Sequence, residues 1–334
     1  MEILPGIHQL KLPFPLQLDQ LAVNAYLIQG DKGWLLIDTG WNTSQAFAAM
    51  ERQLAEIGLT FRNISLILIT HFHPDHYGLA GRLVQSSGAR VALHRIEKDF
   101  IDSRYMHMDG LLDETAAILR ANGVPEKDLP RLQKASLGVR QYVAPVSPEV
   151  MLNGGETINQ GPFQFEVIWT PGHSPGHVCL LERHRRILIS GDHVLPATFS
   201  NVGLHSQSGP DPLPNYLRSL RAMDQLDVDL VLPAHEHVFS GLRPRVQEIL
   251  HHHEERKKAI MAVLREGPRT AYDISLRIPW IVNGVTMTFD QLQALDRRLA
   301  VMSAMAHLEP LCNEGIAQKM QRDGVVFYSL AGGQ

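Results

Sequence analysis

Among its 334 residues the chain has only two cysteines, Cys179 and Cys312. That excludes a disulfide framework, and beside 17 histidines it points any metal towards imidazole and carboxylate ligands rather than thiolate. A reducing cytosol is the expected compartment. Long hydrophobic runs are also missing. ISLILIT (residues 64–70) is far shorter than the ~20 residues a membrane-crossing helix needs, and the mean hydropathy is −0.10. The opening MEILPGIHQL lacks the charged and apolar regions of a signal peptide and the arginines of a transit peptide, so a cytoplasmic protein with no membrane partner is expected. Charge of one sign is scarce too. A net charge of −4 and a pI near 6.5 exclude a global attraction to nucleic acid or anionic lipid. No repeat of fixed period is visible, which argues against a solenoid or propeller. What remains, at 44% hydrophobic and 20% charged residues, is a folded globular chain long enough for two domains.

The first part of the chain alternates strands and helices. HQLKLP (residues 8–13), NAYLIQG (24–30) and WLLIDTG (34–40) have strand character, the last two joined across Asp31-Lys32-Gly33. Residues 42–57 carry apolar groups at helical spacing, with Asn42 or Thr43 as the cap. ISLILIT has the continuous apolar character of a buried strand, and ARVALH (89–94) is a further strand. Residues 96–148 differ, and LLDETAAILRANG (111–123) has helical spacing, so this segment is expected to be a helical insertion. Strands return at ETINQ, FQFEVIWT (163–170), HVCLLE (177–182), RILISG (186–191) and DLVLPAH (229–235), with a helix over 215–226. From 245 the pattern becomes three helices (245–266, 272–277, 289–309) and a hairpin pairing 316–320 with 325–330. The expected division is a catalytic domain over 1–244 and a winged-helix-like domain over 245–334.

The chemistry concentrates in His71-Phe72-His73-Pro74-Asp75-His76, directly after the buried strand. An extended backbone points His71 and His73 to the same side, and Asp75 and His76 follow on the turn out of the strand. His173 in TPGHSPGH, Asp192 in SGDH and His235 in PAH each follow a predicted strand as well. If those strands lie side by side, their ends meet at one edge. Five histidines and two aspartates are too many for one tetrahedral ion and suit two divalent cations sharing a bridging carboxylate. Ser174 lacks the G-x-S-x-G frame of a nucleophile elbow.

This series, with Asp38 in IDTG before it, resembles the metallo-β-lactamase superfamily over roughly residues 5 to 240. The resemblance implies an α/β (α+β) fold, a four-layer αββα sandwich with the metals at the edge between two sheets. It places His71, His73 and His173 on one metal, Asp75, His76 and His235 on the other, and Asp192 between them. Asp38 would be an outer hydrogen-bond partner that fixes the ligand loop. The cations are expected to be zinc, with iron or manganese as alternatives. A hydroxide shared by the two dications would attack the substrate, with Asp192 bridging and Asp75 orienting the nucleophile as the catalytic carboxylates. The ligand set matches that of glyoxalase II, without a match to its C-terminal glutathione-binding basic residues. Neither cysteine falls at the thiolate position of the true β-lactamases, and Glu236 stands where relatives often have Gly. The tail is similar to the winged-helix extension of relatives of β-lactamase-like protein 2.

Neighbours of these residues are weaker candidates. Tyr77 and His193 are candidates for lining the substrate, with a packing role as the alternative for Tyr77. Tyr105, Met106, His107 and Met108 are candidates for the rim of its pocket, with core packing as the alternative for the methionines. His177 is expected to be structural, and His251-His252-His253 a solvated helix face. Residues 245–334 hold eleven Lys and Arg against ten Asp and Glu, a near-balance that favours packing or a homodimer over DNA binding. The expected activity is hydrolysis of an ester, thioester or lactone in a small molecule. A phosphodiesterase or single-strand endoribonuclease with the same metals is the alternative, and a nucleic-acid-binding regulator a third.

Overall fold

Fully buried strands send apolar side chains to both faces of their sheet, so the sheet must be covered twice. Within Trp34–Ile37, Leu35 and Ile37 enter one hydrophobic cluster and Leu36 another. Within Ile187–Gly191, Ile187 and Ile189 join that first cluster while Leu188 joins a third. The computed structural model describes residues 1–15, 22–107, 109–282 and 284–332. In it these alternations become two sheets packed face to face, with helices outside both.

The first sheet runs in chain order: β1 (Glu2–Leu4), β2 (Ile7–Pro13), β3 (Ala22–Ile28), β4 (Trp34–Ile37), β5 (Ile64–Leu68), β6 (Arg90–His94) and β7 (Val150–Leu152). Pairing is antiparallel up to β4 and parallel from β4 to β7. The second sheet holds β8 (Thr157–Gln160), β9 (Phe163–Trp169), β10 (Val178–Glu182), β11 (Ile187–Gly191) and β12 (Leu230–Pro233), in the order β12-β11-β10-β9-β8. Ile7, Tyr26 and Leu68 from one sheet meet Phe165, Val178 and Leu232 from the other in the central cluster.

Helix α1 (Ser44–Glu56) starts at Thr43, whose hydroxyl accepts from the Ala46 N–H at 3.0 Å. Its Ala46, Met50 and Leu54 cover the outer face of the first sheet, with α2 (Pro74–Tyr77) and α3 (Ala80–Ser87) beside it. The expected helical insertion comprises α4 (Arg95–Ile101), α5 (Asp109–Ala121) and α6 (Leu129–Gln133), joined by tighter and wider helical turns. Helices α7 (Pro212–Met223) and α8 (Leu242–Leu264) cover the second sheet through Tyr216, Leu220, Val246 and Ile249. The four-layer αββα arrangement is therefore the one expected.

The tail adds α9 (Ala271–Ser275), α10 (Ala294–Asn313) and a hairpin of β15 (Ala317–Arg322) with β16 (Val325–Leu330). An unexpected hairpin of β13 (Trp280–Val282) and β14 (Val285–Met287) stands between α9 and α10. Helix α8 crosses the 244/245 position, with Val246 in the second sheet's cover and Ile260 in the tail's core. That core also takes Leu119, Leu129 and Leu132 of the insertion, packed with Ile274, Val301 and Leu308. Approach is close enough that a Cβ on Gly123, at φ 89°, would lie 2.4 Å from the Thr270 hydroxyl oxygen. One expectation is overturned here. Within the His251–His253 run, His253 is buried and its Nδ1 lies 3.1 Å from His307 Nε2, because the helical repeat turns it inward while His251 stays exposed.

Leu308 is fully buried in the core shared by insertion and tail. Leu308→Ala should cost about 2–5 kcal/mol of stability, measurable by chemical denaturation. An unchanged midpoint would mean that this core bears little of the fold's stability.

Candidate metal centre

His71, His73, His173, Asp192 and His235 sit in the turns past strands, Asp75 and His76 follow in the short helix α2, and backbone hydrogen bonds stitch the two sheets together at that edge. The Thr70 carbonyl accepts from Val178 N at 3.0 Å, and the Ala234 carbonyl accepts from Asn24 N at 2.7 Å. His71 and His73 leave β5, with His73 as the residue before α2 and Pro74 at its first position. His173 leaves β9, Asp192 leaves β11 and His235 leaves β12.

The seven side chains converge. His173 Nε2 lies 3.2 Å from His71 Nε2 and 3.0 Å from His73 Nδ1, and those two are 2.9 Å apart. On the other side, Asp75 Oδ2 lies 3.3 Å from His235 Nε2 and 3.5 Å from His76 Nε2. Asp192 stands between the groups. Its Oδ2 is 3.4 Å from His173 and 3.5 Å from His76, and its Oδ1 is 3.3 Å from His235.

Whether this donor set fits cations is decided by the far side of each ring. His173 Nδ1–H donates to the Asn201 carbonyl at 2.9 Å, and His76 Nδ1–H to Asp38 Oδ2 at 2.8 Å. His235 Nδ1 faces the Ala22 carbonyl at 3.4 Å, and His71 Nδ1 faces the Thr70 hydroxyl at 3.1 Å. Such acceptors fix the tautomer that leaves Nε2 as an inward lone pair. Buried His76 Nε2 and Asp192 Oδ1 have no hydrogen-bond partner among the described residues. Among His71, His73 and His173 the crowding of neutral nitrogens at about 3 Å is the pattern a cation satisfies. Against their burial, Asp75 and Asp192 push His76 and His235 up, so that these rings carry the positive charge a cation would bring. Burial holds His71 and His73 well below the usual imidazole range, hence neutral. Burial also works against ionised Asp192, but His235 and His76 outweigh it and hold the carboxyl far below its ordinary value. Three sets, His71–His73–His173, His71–His76–Asp192 and Asp75–His76–His235, each bring their donor atoms within 4.8 Å of one another.

Asp38 is hydrogen-bonded behind the cluster. Besides His76 it accepts from Thr70 N at 2.8 Å and from the Thr70 hydroxyl at 2.8 Å. It sits at φ 60°, a strained conformation for a residue with a Cβ. His177 is structural, its Nε2 accepting from Asp192 N at 3.1 Å. Glu236 adopts φ 66°, which glycine would adopt more easily, and its carboxylate accepts from Ala197 N and Thr198 N at 2.8 and 3.0 Å.

Two substrate candidates are corrected. Tyr77 is fully buried; its hydroxyl donates to the Val146 carbonyl at 2.5 Å, and its ring stacks on Tyr105. His193 is fully buried between His177 and Tyr216. Next to a ligand, each side chain projects away from the open side. Of the rim candidates Tyr105 lines the cavity, Met106 and His107 are exposed and outside its lining, and Met108 lies outside the described residues.

Glu97 was not anticipated. Fully buried at the start of α4, it accepts from Phe72 N at 2.8 Å through Oε2, and through Oε1 from the Ser174 hydroxyl at 2.7 Å and Gly176 N at 2.6 Å. It ties the loop carrying His71 and His73 to the loop carrying His173, and burial pushes its carboxyl up to about 7. No local signal marks it, since the three donors come together only in the folded chain.

Comparison with known proteins agrees with this geometry. The family description "Metallo-beta-lactamase superfamily" matches residues 18–235. A crystal structure of a metallo-beta-lactamase family protein from Thermus thermophilus has a TM-score of 0.82 and 31% identity, covering 98% of this chain and 100% of that one. A probable metallo-hydrolase of Bacillus subtilis, YqjP, is 28% identical over 79% of this chain and 82% of its own. The human acyl-coenzyme A thioesterase MBLAC2 is 29% identical over 66% of this chain and 75% of its own.

Glu97→Gln sets an amide N–H against a backbone N–H or the Ser174–Gly176 pair. Metal affinity should fall by roughly 10–100-fold, as for other outer partners of ligand loops, in a chelator competition on folded protein. Wild-type affinity in the variant would remove Glu97 from the centre.

Proposed function

From membership of the metallo-β-lactamase superfamily, to which this chain belongs as a metal-dependent hydrolase, we propose that it hydrolyses acyl thioesters of small molecules at two divalent cations. Supporting this reading is the cavity of about 320 Å³ that opens on His73, Asp75, His173 and Asp192. Its lining includes the apolar side chains Leu111 and Leu112 from the insertion, and Leu295, Leu299 and Met302 from α10. Apolar side chains in a cavity that opens on a hydrolytic centre suit an acyl chain. The thioesterase name of the human relative points the same way.

His71, His73 and His173 would hold one cation, Asp75, His76 and His235 the other, with the two oxygens of Asp192 facing both groups. Bound there, the cations supply Lewis-acid polarisation of the carbonyl and a lowered pKa for water. Zinc is proposed first; imidazole and carboxylate suit iron and manganese as well. Asp75, kept ionised by His76 and His235 against its burial, is placed to accept a hydrogen bond from the attacking water. Asp38 and Glu97 hold the ligand loops so that this geometry is set before substrate arrives. A thiol leaving group, with an ordinary pKa of about 8.5, departs as thiolate and needs no acid from the leucines of the cavity.

Phosphodiester cleavage is the second reading, favoured by Arg104, Arg140 and Arg298 in the same cavity. Helix α10 is buried along residues 300–308, which favours a wall-building role over reading a nucleic-acid groove.

A panel of acyl thioesters, lactones and phosphodiesters with metal-loaded protein tests the proposal. Thioesters should turn over fastest; phosphodiester turnover with inert thioesters would reverse the assignment. Asp192→Asn should lose metal and hydrolysis together while the circular dichroism spectrum stays native. Elemental analysis showing both metals retained at full rate would end the two-cation model.

A further inference from the structure

The charge around the cavity is one-sided. Among its described lining residues the only carboxylates are Asp75 and Asp192, both turned towards imidazoles. Arg104 and Arg140, both from the helical insertion, line the same cavity. Neither has a carboxylate within 4.0 Å among the described residues, whereas Arg120, Arg183, Arg186, Arg245, Arg269 and Arg277 each pair with one. Arg104 is already positioned. Its guanidinium lies 4.8 Å from the ring of Phe72, the residue between His71 and His73, and donates to Gln207 Oε1 at 3.0 Å. Gln207 is in turn held by donating to the Ser103 hydroxyl at 2.9 Å. Among the described residues Arg140 donates to the Met106 carbonyl, at 3.2 Å. A guanidinium has five N–H donors in a flat fork shaped for carboxylate or phosphate, so among the described residues most donors of both arginines remain uncommitted.

We propose that Arg104 and Arg140 form an anion subsite of this cavity, so that the preferred substrate is a thioester carrying a phosphate or carboxylate group, with its acyl chain against the leucines of the cavity. This rests on the thioesterase reading above. The anion can belong to the carrier, as in a phosphate-bearing pantetheine thiol, or to the far end of the acyl chain. Dications and guanidinium groups then act together on one negatively charged substrate, and neutral thioesters of the same chain length are disfavoured.

Three substrates with a matched chain separate the sources: an acyl-coenzyme A, its neutral N-acetylcysteamine thioester, and an N-acetylcysteamine thioester ending in a carboxylate. In wild-type protein the anionic substrates should have the higher kcat/KM. Arg104→Gln and Arg140→Gln should each lower the anionic-to-neutral ratio by about tenfold, the loss of one charge-assisted hydrogen bond, mainly through KM. Arg104→Lys, which keeps the charge without the fork, should fall between. A ratio that collapses only for the coenzyme A ester places the anion on the carrier, and only for the carboxyacyl ester on the chain; both support the subsite. A ratio unchanged in both variants overturns it, as does a parallel loss on charged and neutral substrates. Should wild-type protein hydrolyse no thioester, the thioesterase reading fails separately. Calorimetric titration with free coenzyme A and with a dicarboxylate then decides, and wild-type affinity for both ligands in the Gln variants would overturn the subsite.

Discussion

The carboxylate of Asp38 is the fixed point of the site. It accepts from His76 Nδ1, from Thr70 N and from the Thr70 hydroxyl, all between 2.8 and 3.1 Å. Through Thr70 it reaches His71, and through His76 it reaches the other half of the cluster. A buried carboxylate costs several kcal/mol unless its oxygens are satisfied. Here the groups that satisfy it are those whose orientation the chemistry requires. The strained φ of 60° at Asp38 is thus held by the same bonds that aim the imidazoles.

The hydrolytic series was legible because its geometry is local. His71 and His73 two apart on an extended backbone must face one side, and the other residues all follow strands. Direction was not legible. Tyr77 and His193 are covalent neighbours of His76 and Asp192, yet in each pair the two side chains leave the backbone on different sides. The same reasoning explains His253, one residue from exposed positions but turned inward by the helical repeat. Glu97 needs three donors from separate loops, so nothing in its own sequence context points to it. In the tail the three helices and the last hairpin were foreseen. The hairpin between α9 and α10 was not, although Asn283-Gly284 between apolar residues is a turn signal in the sequence itself.

Division of labour follows from the layers. Hydrogen-bonded strand ends carry the groups that demand fixed positions, since packed sheets place side chains with little freedom. Helices added around them carry the leucines and arginines that line the cavity beside the cluster. A superfamily fold can keep one centre and change what reaches it, because the two sets of residues lie on different elements.

The core shared by the insertion and the tail ties two traits together. Leu119, Leu129 and Leu132 pack against Val301 and Leu308 of the same helix that presents Leu295, Leu299 and Met302 to the cavity. One helix thus faces both the interior that stabilises the tail and the cavity beside the metal cluster. On the proposed function, selectivity and heat tolerance are coupled through it, and a lineage that changes its diet must refit its keystone as well.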